Sequence, residues 1–142
     1  MSLSYFWSYI YHLTQARSEY YVHSPFVYTL MCRCLRRHRG LLPENLDRLH
    51  ERLQRYLAQQ GIAPKLVRIP PGQSPDKAFY ALEDDQRTAV FIDMPHRTPK
   101  REAAWQTLCR DPNIALTIDL FRAALVFPRH PMSKEHFYLR YF

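Results

Sequence analysis

Two carboxylates and a histidine stand where a fold can put them to chemical use. Asp93 closes the apolar run "TAVFID", and His96 follows three residues later in "DMPHRTP". An imidazole titrates near neutral pH, so a carboxylate beside it makes an acid–base pair. The plainer reading, which single residues favour, is a strand-end Asp that caps its loop and a His that faces solvent. Asp119 closes another apolar run, "NIALTID". An Asp there commonly accepts hydrogen bonds from turn N–H groups, and a catalytic role requires a partner beside it. Gly72, in "RIPPGQSP", is the remaining candidate, because a loop glycine lets a ligand approach main chain. Its loop, however, carries two prolines just before it that remove N–H donors.

The chain of 142 residues is large enough for one core, and its 46% apolar content argues against wholesale disorder. Ten Tyr, eight Phe and two Trp make it aromatic-rich, while glycine occurs three times. A net charge of +7 suits anionic partners, including nucleic acid, and equally suits an ordinary basic soluble protein. Three cysteines form no disulfide framework. Cys32 and Cys34, two apart on a helix, diverge by about 200° and cannot share a metal. Free thiols fit a reducing cytoplasm, the expected location. The N-terminal run is too short and too interrupted by Ser and His to span a bilayer. Its Leu3, Phe6, Trp7, Ile10 and Leu13 recur at helical spacing, and are expected to face the core, with a place on a membrane surface as the alternative.

The pattern predicts an aromatic helix over 3–18 and a second helix capped by Ser24 with Pro25 at its first position. The second helix ends in the basic run Arg33, Arg36, Arg37, His38 and Arg39 before Gly40. A third carries Leu46, Leu49, Leu53 and Leu57 on one stripe and stops at Gly61. Residues 1–61 therefore read as a helical N-terminal cap and 62–142 as an α/β sheet, together one compact unit. In the second part, "KLVRI", "TAVFID", "NIALTID", "AALVFPR" and "EHFYLRYF" are strand candidates. Helices open at Ser74-Pro75 and Thr98-Pro99. The connection "LFR" is too short for a crossover, so the strands around it are expected to be antiparallel neighbours.

Two blocks carry a family likeness. "HSPFVYTL" (23–30) and "VFIDMPHRTPKREAAWQTLCRDPNIALTIDLFRAALVFPRHPMSKEHFYLRYF" (90–142) resemble a bacterial group of class I S-adenosylmethionine-dependent methyltransferases related to small-molecule O-methyltransferases. Together they cover somewhat under half the chain. The resemblance implies a Rossmann-like open sheet that keeps its last strands, including the antiparallel one. It implies a cofactor loop after the first strand and an acidic residue that holds the ribose. It also places His23 near an acceptor pocket and Asp93 at a divalent-metal position, where Met94 in place of a second hard ligand makes a weak magnesium site.

The chain departs from that family before Val90, where there is room for one strand and one helix only. KLVRI stands for either the first or the fourth family strand, and several strand–helix units are absent. The expected fold is thus a truncated methyltransferase-like sheet with a helical cap and an antiparallel C-terminal pair. The expected function is a non-catalytic remnant with no cofactor, which acts as a binding module through self-association or with a related methyltransferase. The alternative is an active S-adenosylmethionine-dependent enzyme with a shortened site, in which Gly72 would contact cofactor. Nucleic-acid binding through "RCLRRHRG" ranks third, because Arg at a helix C-terminus is expected for dipole reasons alone.

Overall fold

Leucines spaced three or four apart in "LDRLHERLQRYLAQ" give a helix one apolar stripe amid polar faces, and this stripe anchors the core. The computed structural model describes residues 3–15, 30, 45–129 and 135–139. Within these, α1 spans Leu3–Gln15 and α2 spans Leu46–Gln59. Asn45 caps α2 by accepting from the Asp47 N–H at 2.7 Å. At its other end Gly61, at φ +68, lets the Gly61 N–H reach the Ala58 carbonyl and the Ile62 N–H reach that of Leu57. This is a Schellman motif, and it needs the left-handed backbone that glycine adopts without strain.

Five strands follow: β1 (Val67–Ile69), β2 (Val90–Asp93), β3 (Leu116–Asp119), β4 (Ala123–Phe127) and β5 (Glu135–Tyr138). They form one open mixed sheet in the order β1-β2-β4-β3-β5. The β1–β2 and β3–β5 pairs are parallel, whereas β4 runs antiparallel to both its neighbours. The β3–β4 hairpin matches the expectation from the short "LFR" connection. The helices α3 (Pro75–Ala81) and α4 (Pro99–Arg110) follow β1 and β2. Thr98 caps α4 by accepting from the Arg101 N–H at 3.1 Å, and Pro99 occupies the first turn.

Side chains alternate across the sheet with period two, and the two faces collect different partners. Phe91, Ile118, Leu125 and Phe127 meet Leu49, Leu53 and Leu57 of α2 on one face. Ile69, Val90, Ile92, Ala124 and Val126 meet Phe79 of α3 and Trp105 and Leu108 of α4 on the other. The chain is therefore a mixed α/β protein with helices on both faces of an open sheet. No helix among the described residues is long and apolar enough to cross a membrane.

The expectation for α1 is overturned. Leu3, Phe6, Trp7 and Ile10 are exposed, Trp7 by 63%, while Tyr5, Tyr9 and His12 turn inward against Phe121. The inward face is chosen by polar partners described below rather than by hydrophobicity. The side chain of Leu13, and the segment holding His23, Ser24, Pro25, Cys32, Cys34 and the Arg33–Gly40 run, lie outside the described residues.

Leu53, fully buried in the α2 stripe, tests this layering. Leu53→Ala is expected to lower stability by about 2–5 kcal/mol in urea unfolding. A loss below about 1 kcal/mol would mean that α2 does not anchor the core.

Candidate functional site

The two strand-end aspartates project to opposite faces of the sheet, and that parity decides their fates. Asp93 pairs across β2–β4 with Ala123, on the α2 face, whereas Asp119 pairs across β3–β4 with Ala124, on the α4 face. Asp93 is buried and meets Arg68, whose Nε and Nη2 donate to its two oxygens at 2.8 and 2.7 Å. Arg68 also bonds Asp47 of α2, and its guanidinium lies over the Phe91 ring at 5.7 Å. These two carboxylates raise the pKa of Arg68, Asp93 first, against the opposing effect of its burial. A bidentate Arg leaves Asp93 little capacity for a metal or a proton relay. Asp93 thus pins β1 to β2; it neither caps its loop nor pairs with His96.

His96, expected to face solvent, is only 4% exposed. Its Nε2 lies 2.6 Å from Asp119 Oδ2 and its Nδ1 2.9 Å from Glu102 Oε1. Asp119 is fully buried and accepts further hydrogen bonds from Trp105 Nε1 at 3.2 Å and the Phe121 N–H at 2.8 Å. The Phe121 bond is the turn contact expected of a strand-end Asp; the imidazole is the partner that the sequence did not reveal. From α1, His12 brings its Nδ1 to 3.5 Å from Asp119 Oδ1, while its Nε2 bonds the Leu139 carbonyl at 3.0 Å. One turn earlier, Ser8 donates to Glu102 at 2.9 Å. The ligating atoms of His12, His96 and Asp119 all lie within 4.8 Å of one another.

Phe121 holds this cluster from one side. Its ring stacks on His96 at 5.2 Å with 10° between planes, and touches Tyr5, Tyr9 and His12. Its φ of +71 is a strained conformation for a bulky residue, at a cost of order 1–3 kcal/mol that the surrounding rings must offset. Met94, at the equivalent turn after β2, has φ +46 and donates its N–H to the Arg122 carbonyl. The two turns are therefore tied together beneath the cluster.

Charge is strongly coupled here. Burial alone would push His96 down, but the Asp119 and Glu102 carboxylates outweigh it and hold the imidazole above its ordinary pKa. Burial would likewise raise Asp119, yet the His12 and His96 imidazoles hold it well below the usual carboxylate range. His96 is thereby favoured as an imidazolium clasped between two carboxylates.

A separate cleft of about 390 Å³ opens where the carboxyl ends of β1 and β2 lead into loops, lined by Pro71, Gly72, Gln73, Arg97, Lys100 and Arg101 among others. Arg101 ties its walls: its guanidinium donates to the Pro71, Gln73, Asp93 and Met94 carbonyls. A β-carbon added at Gly72 would meet nothing within 4 Å. Gly72 is thus not required by a close main-chain approach within the fold.

Sequence reasoning singled out His96 and Asp119 and missed His12, Glu102, Ser8, Trp105 and Phe121. Ser8 and His12, four apart on the helix face opposite the apolar stripe, were the available signal. Comparison with family models, with curated proteins and with solved structures gives no match.

The pKa directions set a pH window. His96 has a folded pKa above its unfolded value of about 6.5, so its stabilisation is complete below that pH and is lost as pH rises through the folded value. Asp119 has the opposite sense: its contribution is present above an unfolded pKa near 3.9 and is lost as pH falls through the folded value. With a chelator present, stability is expected to decline above about pH 6.5, by at most about 1.4 kcal/mol per pH unit. Glu102, Asp119 and His12 are the titratable groups that face His96, and His96→Gln should remove the decline. Urea unfolding of the wild type that gives a flat profile from about pH 6 to 9 would sink the assignment.

Proposed function

We propose that this chain is a non-catalytic relative of the class I methyltransferase fold that works as a binding and self-association module. The observation that carries this reading is the outer face of α1. Leu3, Phe6, Trp7 and Ile10 stand exposed on it, while Ser8 and His12 on the inner face bind the body of the protein. An exposed stripe of large apolar side chains on a helix held in place by polar anchors is a surface suited to a partner. A second copy of the chain is the simplest occupant, since one stripe can pack on its twofold-related counterpart.

The sheet supports the lineage. An antiparallel β4 inserted between β2 and β3 fits the closing strands that the resemblance implies.

The cleft supports loss of catalysis. S-adenosylmethionine carries a cationic sulfonium, and its ribose would need an acidic residue. The cleft offers Arg97, Lys100 and Arg101, and among the described residues no Asp or Glu lines it. Two prolines precede Gly72 and supply no N–H. These residues do not fit that cofactor, and no methyl-transfer step is derived through it.

Sedimentation velocity across a concentration series is expected to give a dimer for the wild type and a monomer for a Trp7→Lys/Ile10→Lys variant of unchanged far-ultraviolet circular dichroism. A wild type that stays monomeric throughout refutes self-association. Calorimetric titration with S-adenosylmethionine is expected to give no heat of binding; a micromolar isotherm would restore the enzymatic reading.

A further inference from the structure

The His12–Asp119 contact lacks a proton or an ion where one is required. His12 Nε2 donates to the Leu139 carbonyl, which leaves Nδ1 of a neutral imidazole as a lone pair. That lone pair faces the Asp119 carboxylate at 3.5 Å, and Nδ1 has no hydrogen-bond partner among the described residues although it is buried. Two acceptors cannot satisfy each other. His96 also aims a ring nitrogen at Asp119: with Nδ1 on Glu102, its Nε2 shares a proton with Asp119 at 2.6 Å, in the place that an ion would take.

We propose that His12 Nδ1, His96 Nε2 and the Asp119 carboxylate bind one divalent transition-metal ion, zinc, which clamps α1 to the carboxyl end of β3. The surroundings are those of a metal site one shell out. Ligating histidines usually donate their other ring N–H to a carboxylate or a backbone carbonyl, which fixes tautomer and ring orientation. Glu102 does this for His96 and the Leu139 carbonyl for His12. The carboxylate ligand is itself held by Trp105 Nε1 and the Phe121 N–H.

The dimensions are close. Ligands at about 2.0–2.1 Å in tetrahedral geometry stand about 3.3 Å apart. His12 Nδ1 stands 3.5 Å from Asp119 Oδ1, close to that spacing, while His96 Nε2 stands 2.6 Å from the other oxygen, Oδ2, and must open by about 0.7 Å as zinc replaces the shared proton and draws on both oxygens. Two imidazoles and one carboxylate suit zinc, with a water or the second carboxylate oxygen as fourth ligand. All three ligands are buried, which suits a structural ion. The inference stands apart from the self-association reading, since the ligands face inward and the apolar stripe faces out.

The test is calorimetric titration of the full, chelator-stripped chain with zinc chloride, alongside the cobalt(II) absorption spectrum. One zinc per chain is expected, with a higher thermal midpoint and the d–d bands of a four- or five-coordinate cobalt ion. His12→Gln and Asp119→Asn should abolish binding, and Glu102→Gln should weaken it about 10–100-fold. His50→Gln, at a histidine that bonds the Leu66 carbonyl instead, should leave it unchanged. Circular dichroism confirms that each variant is folded; should Asp119→Asn not fold, His12→Gln and Glu102→Gln decide. Absence of stoichiometric zinc in the wild type, or full affinity retained in His12→Gln, would overturn the proposal.

Discussion

A carboxylate with no access to water has to be matched by donors inside the protein, and Asp119 draws them from three separate parts of the chain. The indole of α4, the N–H of the β3–β4 turn and the imidazole of the β2–α4 loop all converge on it, and the α1 imidazole approaches to 3.5 Å. A buried charge left unpaired costs several kcal/mol, so these elements cannot shift independently. The strained Phe121 follows from the same demand. Its N–H must reach Asp119 while its ring covers His96.

This demand also explains why α1 is mounted with its greasy side out. By hydrophobicity alone, Leu3, Phe6, Trp7 and Ile10 would turn inward. Ser8 and His12 instead meet a carboxylate and a buried carbonyl that would otherwise lose partners. Burying four apolar side chains could offset much of that, but the Tyr5 and Tyr9 rings against Phe121 supply apolar contact on the polar-anchored face. The outcome is a helix whose anchoring and exposed faces are distinct.

The two faces of the sheet carry different chemistry. On the α2 face Asp93 is committed to Arg68, and the neighbouring cleft is ringed by cations. On the α4 face the His12 and His96 imidazoles and the Asp119 carboxylate are buried together. The denser chemistry lies under α1.

The sequence by itself determined the local elements. The α2 stripe, the Gly61 stop, the Thr98–Pro99 helix start and the β3–β4 hairpin follow from spacing, φ preference and loop length. It also located Asp93, His96 and Asp119 at the ends of their strands and turns. Only the tertiary structure decided which of them meet. Ser8 and Glu102 are 94 residues apart, and no local pattern encodes such a contact. Asp93 and Asp119 look alike in sequence, yet strand order and pleat parity send them to opposite faces of the sheet. Side-chain direction alternates with every residue of a strand, so partnership depends on register across strands that are distant in the chain.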